Sequence, residues 1–447
     1  MPSKPPKFPH LDLNQYVSLT EAMTMLSGLF SESGKPYIPY RFAENLFVYC
    51  LNSSYRITGS NVSRQDNSFD SLICLPNGDR VGVGVKTFIK RNRTYNDEKV
   101  AEFTKYAGNH NLKSQKDEDL MLEVADLRNK RVTADINSLG LQTGSFYHCL
   151  VRDEGCFFIH EEPYPLIDIN SLRLVPAKKG QGKGTIHFED NTNYYTYSTA
   201  KNVLFKRFKF NAEQDSRTFP VKIANDSFAF LTQLLSGIQS NKALQKLLLT
   251  KKKTTTTMEF VVLPLYSSRG PTPKVPDKSG LNQWNADGRP REFGEAYFPV
   301  PRAVLKERKG FFPTYQGNGK EECQSFSLKL PNGKTSSAKL CQQGLKALMT
   351  HPNVDLAEWI YSIIDGSFEK AQERLNAENK ELNRPYTYSD LEKIEKDCVY
   401  VFKEERGVYS VEFAPFGAFE VFKELGYKKM LLADFEEHLE SSEEEED

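Results

Sequence analysis

An aspartate and a lysine lie on the two strands of a predicted β-hairpin, where they can approach each other. Asp70 belongs to the first strand, Phe69–Leu75, and Lys86 to the second, Arg80–Ile89. A carboxylate binds hard cations such as Mg²⁺ through oxygen, and the cation acidifies bound water and neutralises phosphate charge. A nearby lysine can orient or deprotonate the attacking water and stabilise an anionic transition state. These residue types therefore suit hydrolysis of a phosphodiester.

The turn between the strands sets the predicted register. Pro76-Asn77 suits the centre of a type I turn, and Gly78 suits the left-handed residue after it. Counting back from this loop gives the pairs Leu75–Asp79, Ile73–Val81, Ser71–Val83 and Phe69–Val85 on one face, and Asp70–Gly84 on the other. Because side chains alternate along a strand, Lys86 shares the face of Asp70. Gly82 and Gly84 leave that face bare, which we interpret as room for a ligand.

This hairpin resembles the PD-(D/E)xK nuclease superfamily, which has an Asp on one strand and a carboxylate-x-Lys on the next. Phe69-Asp70 matches the first half and Gly84-Val85-Lys86 the second, except that Gly84 stands where the family has Asp or Glu. Since glycine cannot bind a metal, another residue must supply the second carboxylate. The candidates are Glu44 on a predicted helix Tyr40–Asn52, then Asp66, then Glu161 or Glu162. The resemblance implies Mg²⁺ as the cofactor, with Asp70 and Glu44 as its ligands and Asp70, Lys86 and Glu44 as catalytic residues.

A second set of motifs lies in the C-terminal half. It comprises Ser279-Gly280-Leu281-Asn282-Gln283-Trp284, Gly288-Arg289-Pro290-Arg291-Glu292, Glu295-Ala296-Tyr297-Phe298-Pro299-Val300-Pro301, Phe311-Phe312-Pro313 and the run Lys339–Thr350. Their order and spacing resemble the B3-like DNA-recognition domain of several bacterial restriction endonucleases. That resemblance covers about residues 258–420 and implies a small open β-barrel with two arms that enter the DNA major groove.

By this resemblance the first arm is Asn282–Glu292 and the second is Lys339–Thr350. The side chains suit base edges and phosphates: arginine pairs with guanine, amides pair with adenine, and glutamate accepts from cytosine. The predicted DNA-contacting residues are Asn282, Gln283, Arg289, Arg291, Glu292, Lys339, Gln342, Gln343 and Lys346. Phe298, Phe312 and Trp359 are expected to lie in the barrel core. The alternative to DNA contact is that the two arms are simply a polar loop and the start of a helix.

The remaining patterns indicate an α+β chain of several domains. Helical spacing predicts helices at Leu19–Phe30, Tyr40–Asn52 and Ser227–Lys246, and period-two spacing predicts strands between and after them. The low-complexity stretch Lys251–Thr257 marks a boundary. We therefore expect a restriction-endonuclease-like α/β domain with a central mixed sheet at 1–253, a B3-like open β-barrel at 258–435 and a disordered acidic tail at 436–447.

Composition excludes some classes of protein. The formal net charge is zero over 447 residues, but the acidic end masks a mildly basic remainder that includes Lys90, Arg91 and Arg93, which can hold a DNA backbone. The seven scattered cysteines have no CxxC pair, which favours a reducing cytoplasm over disulfides or structural zinc. No apolar run is long enough to span a membrane, and no secretory signal is evident.

The sequence thus predicts a type II restriction endonuclease that cuts duplex DNA with Mg²⁺. Double-strand cleavage favours a homodimer, at least transiently on DNA, and the genetic partner would be a DNA methyltransferase. A metal-independent phospholipase D-type nuclease needs H-x-K, a serine hydrolase needs G-x-S-x-G and an ATP-driven step needs a P-loop, and none of these motifs occurs. The alternative is a non-catalytic, sequence-specific DNA-binding regulator, which Gly84 keeps open.

Overall fold

The computed structural model describes fifteen parts of the chain. They are residues 10–30, 34–62, 67–104, 112, 116–142, 144–176, 184–210, 218–241, 259–270, 272–288, 291, 293–317, 320–376, 383–404 and 407–444. The described residues divide into two compact units. The first takes in those of Met1–Ser63, Asn67–Asn129 and Leu141–Lys253, and the second those of Lys130–Gly140 and Thr254–Asp447.

The first unit is built on two sheets. Its strands are β1 Thr58–Asn61, β2 Ser71–Cys74, β3 Arg80–Ile89, β4 Tyr95–Glu102, β5 Phe146–Asp153, β6 Cys156–Pro163, β7 Arg173–Leu174, β8 Thr185–Glu189, β9 Tyr194–Ser198, β10 Val203–Lys209 and β11 Thr218–Pro220. One sheet has the order β1-β2-β3-β5-β6-β11 and is mixed, because β3 and β5 run parallel while their neighbours pair antiparallel. The other has the order β4-β10-β9-β8-β7 and is antiparallel. The central mixed sheet confirms the mixed α+β character predicted for this half, and the restriction-endonuclease-like fold stays a prediction.

Helices cover both sheets of this unit. They are α1 Leu13–Thr24, α2 Tyr40–Tyr49, the long helix α3 Asp117–Leu139, whose residues from Lys130 on are grouped with the second unit, and α4 Ser227–Ser240. On α2, Ala43, Leu46 and Phe47 are buried against Val83 and Val85 of β3. The start of α3 packs on the second sheet through Leu120 and Val124. Apolar burial of this kind is the main force that holds helices on a sheet.

The first predicted helix was misplaced. We predicted Leu19–Phe30, and α1 spans Leu13–Thr24. Asp12 is the reason, because its side chain accepts a hydrogen bond from the backbone N–H of Gln15 at 3.1 Å and caps the helix. Helix α3 was not predicted, because its many charged residues obscure the helical spacing of its apolar residues.

The second unit has one large mixed sheet. Its strands are β12 Glu259–Pro264, β13 Phe298–Pro299, β14 Thr314–Gly317, β15 Lys320–Cys323, β16 Phe326–Lys329, β17 Thr335–Cys341, β18 Ala347–His351, β19 Cys398–Lys403 and β20 Val408–Phe413. Seven of them form the order β12-β19-β20-β16-β17-β18-β13, and β14 pairs with β15. Hydrogen bonds among the described strands do not close this sheet into a barrel.

Six helices surround this sheet within the described residues of the unit. They are α5 Arg302–Glu307, α6 Val354–Ile364, α7 Phe368–Leu375, α8 Tyr388–Ile394, α9 Ala418–Glu424 and α10 Leu432–Glu444. Phe298, Phe312 and Trp359 are buried in one continuous core, as predicted. Helix α10 continues to Glu444, into the segment 436–447 for which the sequence predicts disorder, and Phe435 near its start is buried in the core.

All seven cysteines are free, which agrees with the prediction that the chain has no disulfide framework. Among the described helices, none combines the length and the apolar character needed to cross a membrane.

Candidate functional site

The predicted hairpin of β2 and β3 has the expected register. Ser71 pairs with Val83 and Ile73 with Val81. The loop closes through the N–H of Leu75, which donates to Asp79 O at 2.8 Å, and Gly78 adopts φ 90°. A positive φ is accessible to glycine at little steric cost, so this residue fixes the loop type and with it the register.

Asp70 and Lys86 come together on one face of this hairpin. The distance from Lys86 Nζ to Asp70 Oδ2 is 3.8 Å, and the Asp70 and Lys86 side chains are 19% and 30% exposed. The same Oδ2 accepts a hydrogen bond of 2.7 Å from the N–H of Val85. The Asp70 carboxylate is therefore held at the end of the ladder by backbone and lysine together.

Charge around Lys86 favours its ammonium form. Burial lowers the pKa of Lys86, but the carboxylate of Asp70, with smaller contributions from Tyr164, Cys149 and Glu44, raises it, and the net pKa lies above its ordinary value. At neutral pH the side chain is thus a cation. It is suited to stabilise negative charge, and it is a poor proton acceptor while Asp70 is ionised.

Glu44 is our first candidate for the carboxylate missing at Gly84. It lies on α2, is only 6% exposed, and its charge acts on Lys86. Arg41 Nη1 lies 3.6 Å from Glu44 Oε2, one helical turn away. Of the charges that raise the pKa of Lys86, that of Glu44 contributes least, so Glu44 as the replacement for the acid missing at Gly84 stays a prediction.

The other candidate carboxylates fall outside the described residues or have partners of their own. Asp66 falls outside the described residues. Glu161 points to the opposite face of the sheet, toward His148, whose Nδ1 is 2.7 Å away. Glu162 hydrogen-bonds to His160 at 3.1 Å and to the buried ammonium of Lys206. The negative charge of the Glu162 carboxylate is thus already compensated by these two neighbours.

Our interpretation of Gly82 and Gly84 as room for a ligand is wrong. A Cβ on Gly84 would lie 2.9 Å from Tyr147 Cδ1 and 3.0 Å from Tyr164 Cε2, two rings that stack at 4.1 Å between centroids. A Cβ on Gly82 would meet the ring of Phe69 at 2.6 Å. Aromatic rings of the chain itself fill this space, so glycine is needed for packing.

The same contact corrects the position of Phe69. We expected this ring to face Val85 on the apolar side, but it covers Gly82 and contacts Tyr164, with 4.7 Å between centroids. Regular pairing begins only at Ser71. The Asp70 carboxylate accepts a hydrogen bond from the Val85 N–H, in place of the next backbone hydrogen bond between β2 and β3.

Of the basic cluster after β3, Lys90 forms an ion pair of 3.3 Å with Asp153. Arg91 and Arg93 are exposed.

The second unit contains an open cleft of about 890 Å³ to which both predicted arms contribute. The first arm includes a 3₁₀-helix, Gly280–Asn285, and the second is the hairpin of β17 and β18. Five predicted DNA-contacting residues line the cleft, namely Gln283, Arg291, Gln342, Gln343 and Lys346. Residues more than fifty positions apart are thus united on one concave surface.

The turn at the tip of the second arm is tightly specified. Gln342, Gly344 and Leu345 all have positive φ, and the N–H of Leu345 donates to Gln342 O at 3.0 Å. Leu345 is buried while Gln343 and Lys346 are exposed. The apolar anchor directs the polar side chains of the tip outward.

The cleft is electropositive. Its charged lining residues within the described part of the chain are all basic: Arg269, Lys278, Arg291, Arg302 and Lys346. Lys278 Nζ also pairs with Asp287 at 2.6 Å at the surface. Sequence reasoning missed Arg269, Lys278 and Arg302, because these residues reach the cleft through the fold and lie in none of the motifs used.

Asn282 must be withdrawn as a base-contacting residue. It is fully buried, and its Nδ2 donates to Tyr386 O at 2.8 Å while its Oδ1 accepts from the Tyr386 N–H at 2.9 Å. This amide joins the first arm to the chain before α8. Its polar groups are already paired, so a base edge would have nothing to bond.

The other residues predicted to contact DNA do not line the cleft or fall outside the described residues. Lys339 is exposed on β17 but does not line the cleft. Arg289 and Glu292 lie outside the described residues. Arg291 Nε donates to Gln283 O at 3.0 Å, which orders the part of the first arm that is described.

Comparison with protein-family models finds none that matches this chain, and comparison with curated proteins finds no match.

Proposed function

We propose that the chain is a Mg²⁺-dependent endonuclease of the type II restriction class, in which the first unit hydrolyses DNA and the second reads it. The observation that carries the proposal is the approach of Lys86 to within 3.8 Å of Asp70, with the charge of Glu44 acting on the same ammonium. Two carboxylates and an ammonium are side-chain types that suit a phosphodiesterase.

The carboxylates suit Mg²⁺ by their chemistry. Magnesium prefers carboxylate oxygens and keeps several waters, so one or two protein carboxylates are enough. Lys86 and the Val85 N–H both engage Oδ2 of Asp70, and among the described residues no partner is found for Oδ1. Asp70 and Glu44 are the residues that would hold the ion. When bound, Mg²⁺ supplies a more acidic water and neutralises phosphate charge.

The chain's own groups have separable roles in this proposal. Asp70 positions the cation site through its bond to the Val85 N–H. Lys86, kept protonated by the neighbouring carboxylates, stabilises the negative charge that grows on the phosphate during attack. The raised pKa of Lys86 argues against our expectation that it deprotonates the water, because an ammonium has no lone pair to accept a proton.

Duplex DNA is the partner that best suits the cleft of the second unit. Its basic and amide side chains match the two needs of DNA binding, since cations hold phosphates and amides or arginines read base edges. A B3-like open barrel is the finer fold that we propose for this unit. It is supported by the approach of β12 and β13, which are the two edge strands of the sheet.

A non-catalytic DNA-binding regulator is the second candidate. Gly84 favours it, because the acid usual at this position of the nuclease family is absent and the rings of Tyr147 and Tyr164 occupy the space where its side chain would start. The regulator shares the cleft of the second unit with the nuclease and differs in having no use for Asp70 and Lys86.

Cleavage of supercoiled plasmid and bacteriophage DNA, methylated and unmethylated, separates the two candidates. We expect cutting with Mg²⁺ and none with EDTA, and a loss of at least about a hundredfold in Asp70→Ala and Lys86→Ala. Lys99→Ala is the matched control, since Lys99 forms an ion pair of 2.8 Å with Glu102 on β4 of the other sheet. Cutting that survives both substitutions would reject the site, and binding without any cutting would establish the regulator.

A further inference from the structure

Two histidines and a glutamate converge inside the first unit, on the face of the sheet opposite Lys86. Glu161 Oε1 lies 2.7 Å from His148 Nδ1 and 3.1 Å from His10 Nε2. One potential ligand atom from each of the three residues lies within 4.8 Å of the other two. His10 and His148 belong to no motif of the proposed nuclease, and His10 lies more than a hundred positions before His148 and Glu161.

The sheet itself sets the position of two of these groups. His148 on β5 pairs with Glu161 on β6. Cys149, the next residue, pairs with Lys86, so His148 points to the other face, toward α1 and α2. His10 comes from the segment before α1, and the N–H of Asn52 donates to its carbonyl at 2.8 Å.

The surroundings are apolar and closed to water. The His10 ring lies 5.6 Å from the Phe47 ring and 5.1 Å from the Phe146 ring, centroid to centroid. His148 is fully buried, and the side chains of His10 and Glu161 are only 5% and 2% exposed. Ionic groups this deep in a core need a compensating charge or ligand.

The cluster holds a carboxylate whose second oxygen lacks a partner. Both histidines approach Oε1, whereas Oε2 of Glu161 is buried with no hydrogen-bond partner among the described residues.

We propose that His10, His148 and Glu161 form a binding site for a transition-metal cation of the Zn²⁺ type. Two imidazoles and a carboxylate are ligands that Zn²⁺ takes at about 2.0–2.2 Å, whereas Mg²⁺ prefers oxygen alone. Donors around one such ion lie about 3.3 Å apart, so the separations observed here require shifts of an ångström or so. The cation supplies the charge that the buried carboxylate needs.

Tyr16 is a positioning residue that orients the His148 ring. Its hydroxyl lies 3.0 Å from His148 Nε2, the ring nitrogen that points away from Glu161. An Nε2–H donated to this hydroxyl leaves the lone pair on Nδ1 free to bind a metal, which is how ligating histidines are usually oriented. The bound ion would fasten the segment of His10 to β5 and β6.

Zinc titration of the full chain, dialysed against EDTA and followed with a chromophoric chelator, tests the proposal. We expect one Zn²⁺ per chain in the wild type, and affinity lower by at least about a hundredfold in His10→Ala and Glu161→Gln and by about tenfold in Tyr16→Phe. His160→Ala is the matched control, because His160 is also buried and bonds to a glutamate, Glu162, at 3.1 Å on the other face. It should bind Zn²⁺ as the wild type does.

Two further measurements distinguish loss of the metal site from misfolding of a variant. Circular dichroism must show each variant folded, and Co²⁺ added to the wild type should give the visible absorption of a four- or five-coordinate site, which His10→Ala removes. Mg²⁺ at equal concentration should not displace Zn²⁺. Absence of Zn²⁺ binding in the wild type, or equal affinity in His10→Ala, Glu161→Gln and His160→Ala, would overturn the proposal and leave a hydrogen-bonded His–Glu–His cluster. Neither result depends on DNA cleavage, so failure here is distinguishable from failure of the nuclease proposal.

Discussion

At the scale of single residues, position along a strand proved more informative than residue type. The register that places Asp70 and Lys86 on one face follows from the loop around Gly78, and the 3.8 Å approach of the two side chains agrees with it. The role of Gly84 does not follow from its type, because the sequence does not indicate which rings would cover it. Tyr147 and Tyr164 come from β5 and from the residue just after β6.

Gly84→Ala should destabilise the protein. The added Cβ would lie 2.9 Å from Tyr147 and 3.0 Å from Tyr164, so the stacked rings must move. Overpacking of this kind costs about 1–3 kcal/mol. Urea unfolding at constant slope measures the loss.

Gly144→Ala is the control for that substitution, since a Cβ there meets nothing within 4 Å. It should leave stability unchanged within about 0.5 kcal/mol. Equal free energies of unfolding for the two variants would mean that the rings yield without cost and that the packing explanation of Gly84 is wrong.

At the scale of elements, helix ends show how local chemistry fixes structure. Helix α8 begins with a capping box, in which the Asp390 carboxylate accepts from the Thr387 N–H at 2.8 Å and the Thr387 hydroxyl at 2.9 Å. Arg384 adds two hydrogen bonds of 2.6 Å to the same carboxylate. The strand hairpin that forms the second arm is specified in the same local way, by the positive-φ turn at its tip.

Asp390→Asn should lower stability by about 1–2 kcal/mol near neutral pH. Burial raises the pKa of Asp390. Hydrogen bonds from Arg384 and Thr387 lower that pKa by more than burial raises it, so the folded-state pKa lies below the ordinary value. Stability from this ionised group is therefore fully present above the unfolded-state pKa of about 3.9 and is lost as pH falls through the folded-state pKa.

Thermal or urea unfolding of wild type and Asp390→Asn between pH 7 and pH 2.5 checks this. The difference between the two proteins should be largest above pH 5 and shrink below about pH 4. Asp434→Asn, which changes an exposed carboxylate on α10, is measured beside it as the control. A difference that stays constant with pH would show that the charge of Asp390 contributes nothing.

At the scale of the whole molecule, a net charge of zero conceals a strongly uneven distribution. The charged residues that line the cleft, among those described, are all basic, and the acidic residues that balance them lie elsewhere in the chain. For a protein that binds a polyanion, the local field of the binding surface decides affinity, and the overall charge does not.

Arg302→Ala should weaken binding to duplex DNA across all sequences. Arg302 begins α5 and lines the cleft, so its loss removes a cation from the surface that we propose binds phosphates. The slope of log affinity against log salt should fall in magnitude by about 1. Fluorescence anisotropy of a labelled duplex at several salt concentrations measures both quantities.

Lys306→Ala is the matched control on the same helix. Lys306 is not among the residues lining the cleft, and its side chain is 84% exposed. Affinity and salt slope should match those of the wild type. If Arg302→Ala and Lys306→Ala weaken binding equally, then the cleft is not the DNA-contacting surface.

The sequence by itself determined the features that rest on short-range chemistry. The hairpin register and the position of Asp70 and Lys86 on one face were predicted, because turn residues and strand alternation act over a few positions. The free cysteines were predicted from their scattered spacing. The start of α1 was misjudged because the Asp12 cap outweighed apolar spacing, and the helix at the acidic end was missed because Phe435 anchors it in the core.

Only the tertiary structure decided which distant residues meet. It buried Asn282 against Tyr386, filled the space beside Gly84 with two rings, brought Arg302 into the cleft and gathered His10, His148 and Glu161 around one carboxylate oxygen. Such contacts depend on how sheets and helices stack, and a linear pattern carries no distance between residues a hundred positions apart. Local rules therefore give the candidate catalytic pair, and packing gives its surroundings.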